Sequence, residues 1–214
     1  PSEDGHEGVQ LWANGPYWAT VNCGATDPTE AGYYYFGGED TVGYMVKDGA
    51  LKGDLVQVTS ADDTWGDGWR KPTTAEATAM KNNCRIVSTG TSASGQPYVV
   101  IGGTAAGYTD KTITIPLAGY GNGKHVNDTN RWGTYGKYWT SDLGSAYRLC
   151  FTSTAIELGT GGYGTEHGNY YTIRLVSDTK PSGGGTSHTH VWGTPSYAWT
   201  EASGGYTCKG TVTC

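Results

Sequence analysis

Phenylalanine, which serves mainly protein cores, is almost missing: 2 of 214 residues. There is no run of about 18 apolar residues, so no segment reads as a membrane-spanning helix. Lys and Arg number 14 against 20 acidic residues, leave a net charge of −6, and cluster nowhere. A phosphate backbone needs a basic patch, so nucleic acid is excluded as a partner. The five cysteines, Cys23, Cys84, Cys150, Cys208 and Cys214, match neither a zinc ribbon nor a CxxC redox motif. An initial Met and a signal peptide are also missing. The expectation is a mature or excised piece of a longer, exported precursor, placed outside the cell or on its surface.

Glycine is abundant instead, at 35 residues, with 16 Tyr and 8 Trp. A chain so rich in glycine bends often and makes few long helices. Tyr and Trp join an apolar body to a polar handle, so they serve cores and also surfaces that grip a ligand. The odd cysteine count forbids full internal pairing. Cys23 and Cys84 are a candidate disulfide, whereas Cys150 lies in an apolar strand pattern and reads as a buried free thiol. Cys208 and Cys214 on one strand would sit about 20 Å apart, too far to bridge.

Val9–Val21 reads as a β-hairpin turning at Asn14-Gly15-Pro16. Tyr33–Phe36 is a short strand, and residues 40–66 read as an irregular excursion with one weak strand, Leu55–Thr59. One helix is convincing. Thr73 is its N-cap, Glu76 completes a capping box, and Ala75, Ala77, Ala79 and Met80 carry it to Asn83. Strands alternating with Gly-rich turns follow, from Tyr98–Ile101 to Tyr171–Val176, and the expected class is α+β. Residues 1–8 are a lead, 9–178 a domain, 179–187 a Pro/Gly/Ser linker, and 188–214 a β tail too short for its own core.

Eight motifs carry a resemblance: Trp18–Ala25, Gly32–Glu39, Gly68–Glu76, Asn83-Cys84, Ile115–Tyr120, Gly136–Ser141, Ala146–Phe151 and Tyr171–Val176. In this order, over about four fifths of the chain, they resemble the bacterial major paralogous domain and the related variable proteins of diversity-generating retroelements. The resemblance implies a C-type-lectin-like fold and a non-catalytic adhesin, bacterial or phage-borne. It also implies a contact face in the last third of the domain. Here that face would hold Asn130, Trp132, Tyr135, Asp142, Tyr147, Arg148, Glu157, Tyr163, Glu166, His167, Asn169 and Tyr170. Aromatics mixed with Asn, Ser, Thr and Gly have the composition of a paratope, so the expected ligand is a glycan or a host or surface protein. Trp18, Trp69, Glu76, Trp139, Phe151 and Arg174 read as scaffold. Trp139 is expected to pack on the helix, and Arg174 to pair with a carboxylate, Glu76 being a candidate.

Other chemistry finds little support. The lectin-type Glu-Pro-Asn or Gln-Pro-Asp triplet is absent, since Gln96-Pro97-Tyr98 lacks the carboxylate, so sugar binding would be calcium-independent. Asp62, Asp63 and Asp67 read as a solvated acidic loop. No Ser/His/Asp motif is visible, and Cys150 has no sequence-neighbouring His or Lys to activate it, which argues against formylglycine-generating chemistry. His188, His190, Cys208 and Cys214 are spaced too loosely for the usual zinc set, and no metal or cofactor is expected. Asn127-Asp128-Thr129 matches a glycosylation sequon. The tail resembles an incomplete β repeat of large bacterial surface proteins. It could add a strand to a second copy of the chain, which makes a filament subunit the alternative function.

Overall fold

The computed structural model describes residues 6–38, 42–58, 65, 68–142, 148–159 and 168–181, and the backbone of 196–202 and 205–211. The chain divides into two compact units, Pro1–Gly184 and Gly185–Cys214.

The first unit begins with strands β1 (Gly8–Gln10), β2 (Tyr17–Ala19), β3 (Tyr34–Phe36), β4 (Gly43–Val46), β5 (Gly53–Gln57) and β6 (Trp69–Arg70). Helix α1 (Thr74–Asn83) runs directly into β7 (Cys84–Thr91), followed by β8 (Pro97–Gly103) and β9 (Thr112–Pro116). The remaining strands are β10 (Gly121–Asn122), β11 (His125–Val126), β12 (Gly136–Trp139), β13 (Arg148–Phe151), β14 (Ile156–Gly159), β15 (Asn169–Thr172) and β16 (Val176–Ser177). The second unit contains one hairpin, β17 (Ser196–Ala202) with β18 (Gly205–Thr211).

The expected α+β, C-type-lectin-like class is not what forms. Strand makes up 41% of the structure and helix 9%. The organising feature is a closed barrel of six strands in the order β10-β11-β5-β4-β3-β15, with β15 pairing back onto β10. Beyond Tyr170 the same edge of β15 passes to β12 through the parallel Tyr138–Thr172 pair, and β13 and β14 extend that wing. Two smaller sheets flank it, β1-β2-β16-β6 and β7-β8-β9. The stretch expected to be irregular holds two barrel strands, β4 and β5, joined by a turn in which Asp48 and Gly49 both take positive φ. Strands of two to five residues carry too few alternations to show a period of two, and closure satisfies their backbone groups instead.

Local signals that depend on neighbours in the chain are realised. The opening hairpin pairs Val9 with Trp18 around a turn at which Asn14 has φ 59°. The Thr73 hydroxyl accepts the Glu76 N–H at 3.2 Å, and the Glu76 carboxylate accepts the Thr73 N–H at 2.7 Å. Helix α1 buries Ala77 and Met80 against Leu11, Trp18, Ile101, Ile115, Leu149 and Phe151. Trp139 does not pack on that helix. It lies in a second cluster with Tyr35 and Tyr171, its indole N–H donating to the Tyr35 carbonyl at 2.8 Å. A third cluster, Tyr34, Val46, Leu55, Ala118, Val126 and Tyr170, belongs to the barrel.

Arg174 is fully buried without a carboxylate partner among the described residues. Its Nε donates to Asn22 Oδ1 at 2.7 Å, Nη1 to the Ala19 carbonyl at 2.9 Å and Nη2 to the Thr114 carbonyl at 3.0 Å. Burial pushes its pKa down to about 10, against the opposing pull of Tyr138. Glu76, its expected partner, is held instead by Arg70 at 2.6 and 2.8 Å, and Arg70 also pairs with Asp178. Cys23 and Cys84 are buried in different clusters and form no disulfide with each other, so the candidate bridge is not made. Cys150 is a buried free thiol as well.

Candidate functional site

The face expected from sequence is divided by the barrel. Tyr34, Val46, Leu55 and Tyr170 point inward, and strand alternation then aims Phe36, Tyr44 and Gln57 the same way. The pairing Val46–Leu55 lies toward one end and Phe36–Tyr170 toward the other, with Tyr34, Tyr44 and Gln57 in the row between them.

The first end is closed. The Tyr34 hydroxyl donates to the Ala118 carbonyl at 2.9 Å. Trp132 packs against the barrel core beneath the Lys52 ammonium, 4.9 Å from its ring, and Lys52 is paired to Asp128 at 2.9 Å. Asn130 is buried, donating from Nδ2 to the His125 carbonyl at 2.8 Å. Tyr135 carries the Arg131 guanidinium 5.4 Å from its ring. Asn130 and Trp132 therefore shape a plugged end, with Tyr135 on the loop that follows them.

The second end is an aromatic mouth. Phe36 and Tyr170 have ring centroids 4.8 Å apart, and Tyr44 meets Tyr170 edge-on at 4.9 Å. Phe36 is 41% exposed although it is one of only two phenylalanines, while Tyr44 is half-buried and Tyr170 buried. Lys124, in the tight turn between β10 and β11, holds its ammonium 5.5 Å from the Tyr44 ring. Gln57 is exposed on the strand opposite Tyr44. Burial, and then the neighbouring Tyr44, push the Tyr170 phenol above its usual pKa, so it stays protonated. An exposed ring, a cation and a neutral amide at one rim can stack on an apolar or sugar face and bond hydroxyl or carbonyl groups.

The remaining expected residues lie elsewhere. Asp142 caps α1, accepting the Thr74 N–H at 2.9 Å, and the Thr74 hydroxyl and backbone beside it hold its pKa below the usual value. Arg148 and Glu157 sit on the wing, where Lys137, Cys150 and Glu157 form one cross-strand row. Cys150 thus has two cationic neighbours, Arg148 on its own strand and Lys137 across the strand pair, yet burial outweighs them and raises its pKa. Asn169 donates to the Tyr171 hydroxyl at 3.3 Å, beside the mouth. Tyr147, Tyr163, Glu166 and His167 lie outside the described residues, as do Asp62, Asp63, Asp67, His188 and His190. Of the scaffold set, Trp18, Trp139, Phe151 and Arg174 are buried. Trp69 is partly buried, edge-on to Trp65 at 5.3 Å.

Sequence reasoning missed Phe36, Tyr44, Gln57 and Lys124. The available signal was an alternating Tyr34/Phe36 pair in a chain nearly devoid of Phe. Among the described residues no group of His, Cys, Asp or Glu could hold a metal ion, and no helix is long and apolar enough to cross a membrane. Comparison with family models, curated proteins and solved structures returns no match.

Proposed function

We propose that the first unit is a non-catalytic ligand-binding domain of an exported adhesin. It recognises a glycan or a surface protein through the barrel mouth formed by Phe36, Tyr44 and Tyr170. The observation that carries this reading is the exposure of Phe36 against two rings that already fill the barrel end. Packed against Tyr170 and 41% exposed, Phe36 offers an apolar rim that a ligand can cover. The order of sequence motifs and the Tyr/Trp richness support the same class of function, and Lys124 and Gln57 add polar contacts at the rim. Glycan arrays and pulldowns of host surface proteins test it. A specific signal from the parent chain should be lost in Phe36→Ala and Tyr44→Ala, and kept when Trp132 at the plugged end is replaced by Phe.

A second reading, a filament subunit, is favoured by one feature of the second unit. Strands β17 and β18 form a two-stranded sheet of seven residues each, and neither outer edge is paired among the described residues. Such edges are templates for strand addition to another copy. Removal of residues 179–214 should then abolish assembly seen by electron microscopy, and intact filaments would exclude this role.

A further inference from the structure

Strands β10 and β11 are joined by a two-residue turn, closed by the Asn122–His125 pair, in which Gly123 and Lys124 have φ 57° and 60°. Positive φ at both central residues is the type I′ geometry, whose second position glycine fills best. A side chain there strains the backbone, yet this turn carries a lysine. The Lys124 carbonyl accepts the Leu55 N–H at 2.7 Å, which ties the turn to β5. The Lys124 ammonium lies 5.5 Å from the centre of the Tyr44 ring and meets no carboxylate among the described residues. Asp54, which precedes Leu55, is held by His125 at 2.6 Å, and alternation with the inward Leu55 puts it on the outer face of the barrel. The chain as a whole carries a charge of −6, so its overall field does not draw anions, and only a local cation can hold one. From Lys124 the contacts run in single file, to Tyr44, from Tyr44 to Tyr170 at 4.9 Å, and from Tyr170 to Phe36 at 4.8 Å. Of these three rings Phe36 alone is exposed. One exposed ring with one cation makes a narrow strip. A stable protein partner needs about 800 Å² on each side, whereas the C–H face of a pyranose is covered by a single aromatic ring.

We infer that the barrel mouth takes a carboxylated saccharide, with a uronic or sialic acid group ion-paired to Lys124 and a sugar ring stacked on Phe36. This rests on the reading of the mouth as a ligand site and adds to it the charge of the ligand. Lys124 is then the residue that sets acidic sugars apart from neutral ones, and Phe36 the residue that both kinds need.

Oligosaccharides of uronic and of sialic acids, each beside its own methyl ester, are the probes. The ester keeps the rings and removes the charge. Binding to the full chain is measured for every pair. A bound acid should bind roughly fivefold tighter than its ester, the upper range for a solvent-exposed ion pair, and added salt should shrink that preference. Lys124→Gly suits the positive φ, so the variant should fold, and it should erase the preference while leaving the ester's affinity unchanged. Lys124→Arg should keep the preference. Phe36→Ala should weaken acid and ester alike. Equal affinity for acid and ester, with both lost in Phe36→Ala, would overturn the carboxylate assignment while keeping the mouth as a site for neutral glycans. A preference that survives Lys124→Gly would overturn it as well. Acid binding that Phe36→Ala leaves intact would remove the mouth itself as the site. Failure of every saccharide to bind, with or without capture of a surface protein through Phe36, would overturn the sugar class.

Discussion

Arg174 donates its Nε to the side-chain oxygen of Asn22 at 2.7 Å, across 152 positions of sequence, in a fully buried site with no carboxylate among the described residues. The same guanidinium reaches β2 through the Ala19 carbonyl and β9 through the Thr114 carbonyl. One planar, five-donor group thus ties β9 to the segment of β2 and Asn22, which belong to different sheets. Arg174→Lys keeps the charge but cannot span three acceptors. It should cost about 2–4 kcal/mol in urea denaturation, because buried acceptors lose their donors and a charge loses its bonds. A loss of less than about 0.5 kcal/mol, the ordinary effect of a surface substitution, would show that the hub is dispensable.

Acid should loosen the start of α1 first. Burial opposes ionisation of Glu76, but the hydrogen bonds from Arg70 and Thr73 outweigh it and lower its pKa from the ordinary 4.5. Asp142 is lowered as well, by Thr74. Both folded values lie below those of the unfolded chain. Their stabilisation is therefore complete above the unfolded values and is lost as pH falls through the folded ones. Chemical denaturation from pH 6 down to pH 3 should show falling stability, and Glu76→Gln should flatten part of the fall. An unchanged slope in that variant would remove Glu76 from the effect. Asp142 is solvent-exposed, so Asp142→Asn should contribute little.

The thiols make a separate prediction. Burial pushes Cys84 up to about 12 and raises Cys150, and Cys23 is buried as well. None should react with a disulfide reagent at pH 8 in the folded chain, and all three should react in denaturant. Reducing agent should leave the unfolding midpoint of residues 1–184 unchanged. A midpoint that drops on reduction would instead indicate the Cys23–Cys84 bridge.

Gly121 tests the barrel interior. A Cβ there would stand 2.6 Å from Leu55 Cδ1 and 2.9 Å from the Tyr170 Cβ. Gly121→Val should destabilise by about 1–3 kcal/mol through overpacking, and should displace Tyr170 so that ligand binding at the mouth weakens too. Wild-type stability together with wild-type binding would mean that the strands do not close as described.

The legibility of this sequence tracks the range of the interactions concerned. Thr73 and Glu76 are three residues apart, and the Asn14-Gly15 turn is local, so both were readable from spacing. The Phe36–Tyr170 contact joins residues 134 positions apart, as the numbering shows. Strands of two residues, such as Gly121–Asn122 and His125–Val126, leave no periodic trace at all. Barrel closure, which decides the fold class, depends on just such pairs. The residues of 130–171 read as one face because they are contiguous in sequence. The barrel places Trp132 at one end and Tyr170 at the other, and gives Asp142 to a helix terminus. Arg70 rather than Arg174 holds Glu76 because it is six residues away, on the strand just before the helix.

The scarcity of phenylalanine supplies the most direct test of the barrel mouth as a binding site. The two rings report on opposite environments: Phe36 is 41% exposed at the mouth and Phe151 is 1% exposed in the core beneath α1. With ring-labelled phenylalanine, each residue gives its own NMR signals. On titration with the strongest glycan or protein from the array and pulldown screens, the Phe36 signals should shift and saturate while those of Phe151 stay fixed. Saturable binding of that ligand, seen by calorimetry, with the Phe36 signals unmoved would contradict a ligand site at the mouth.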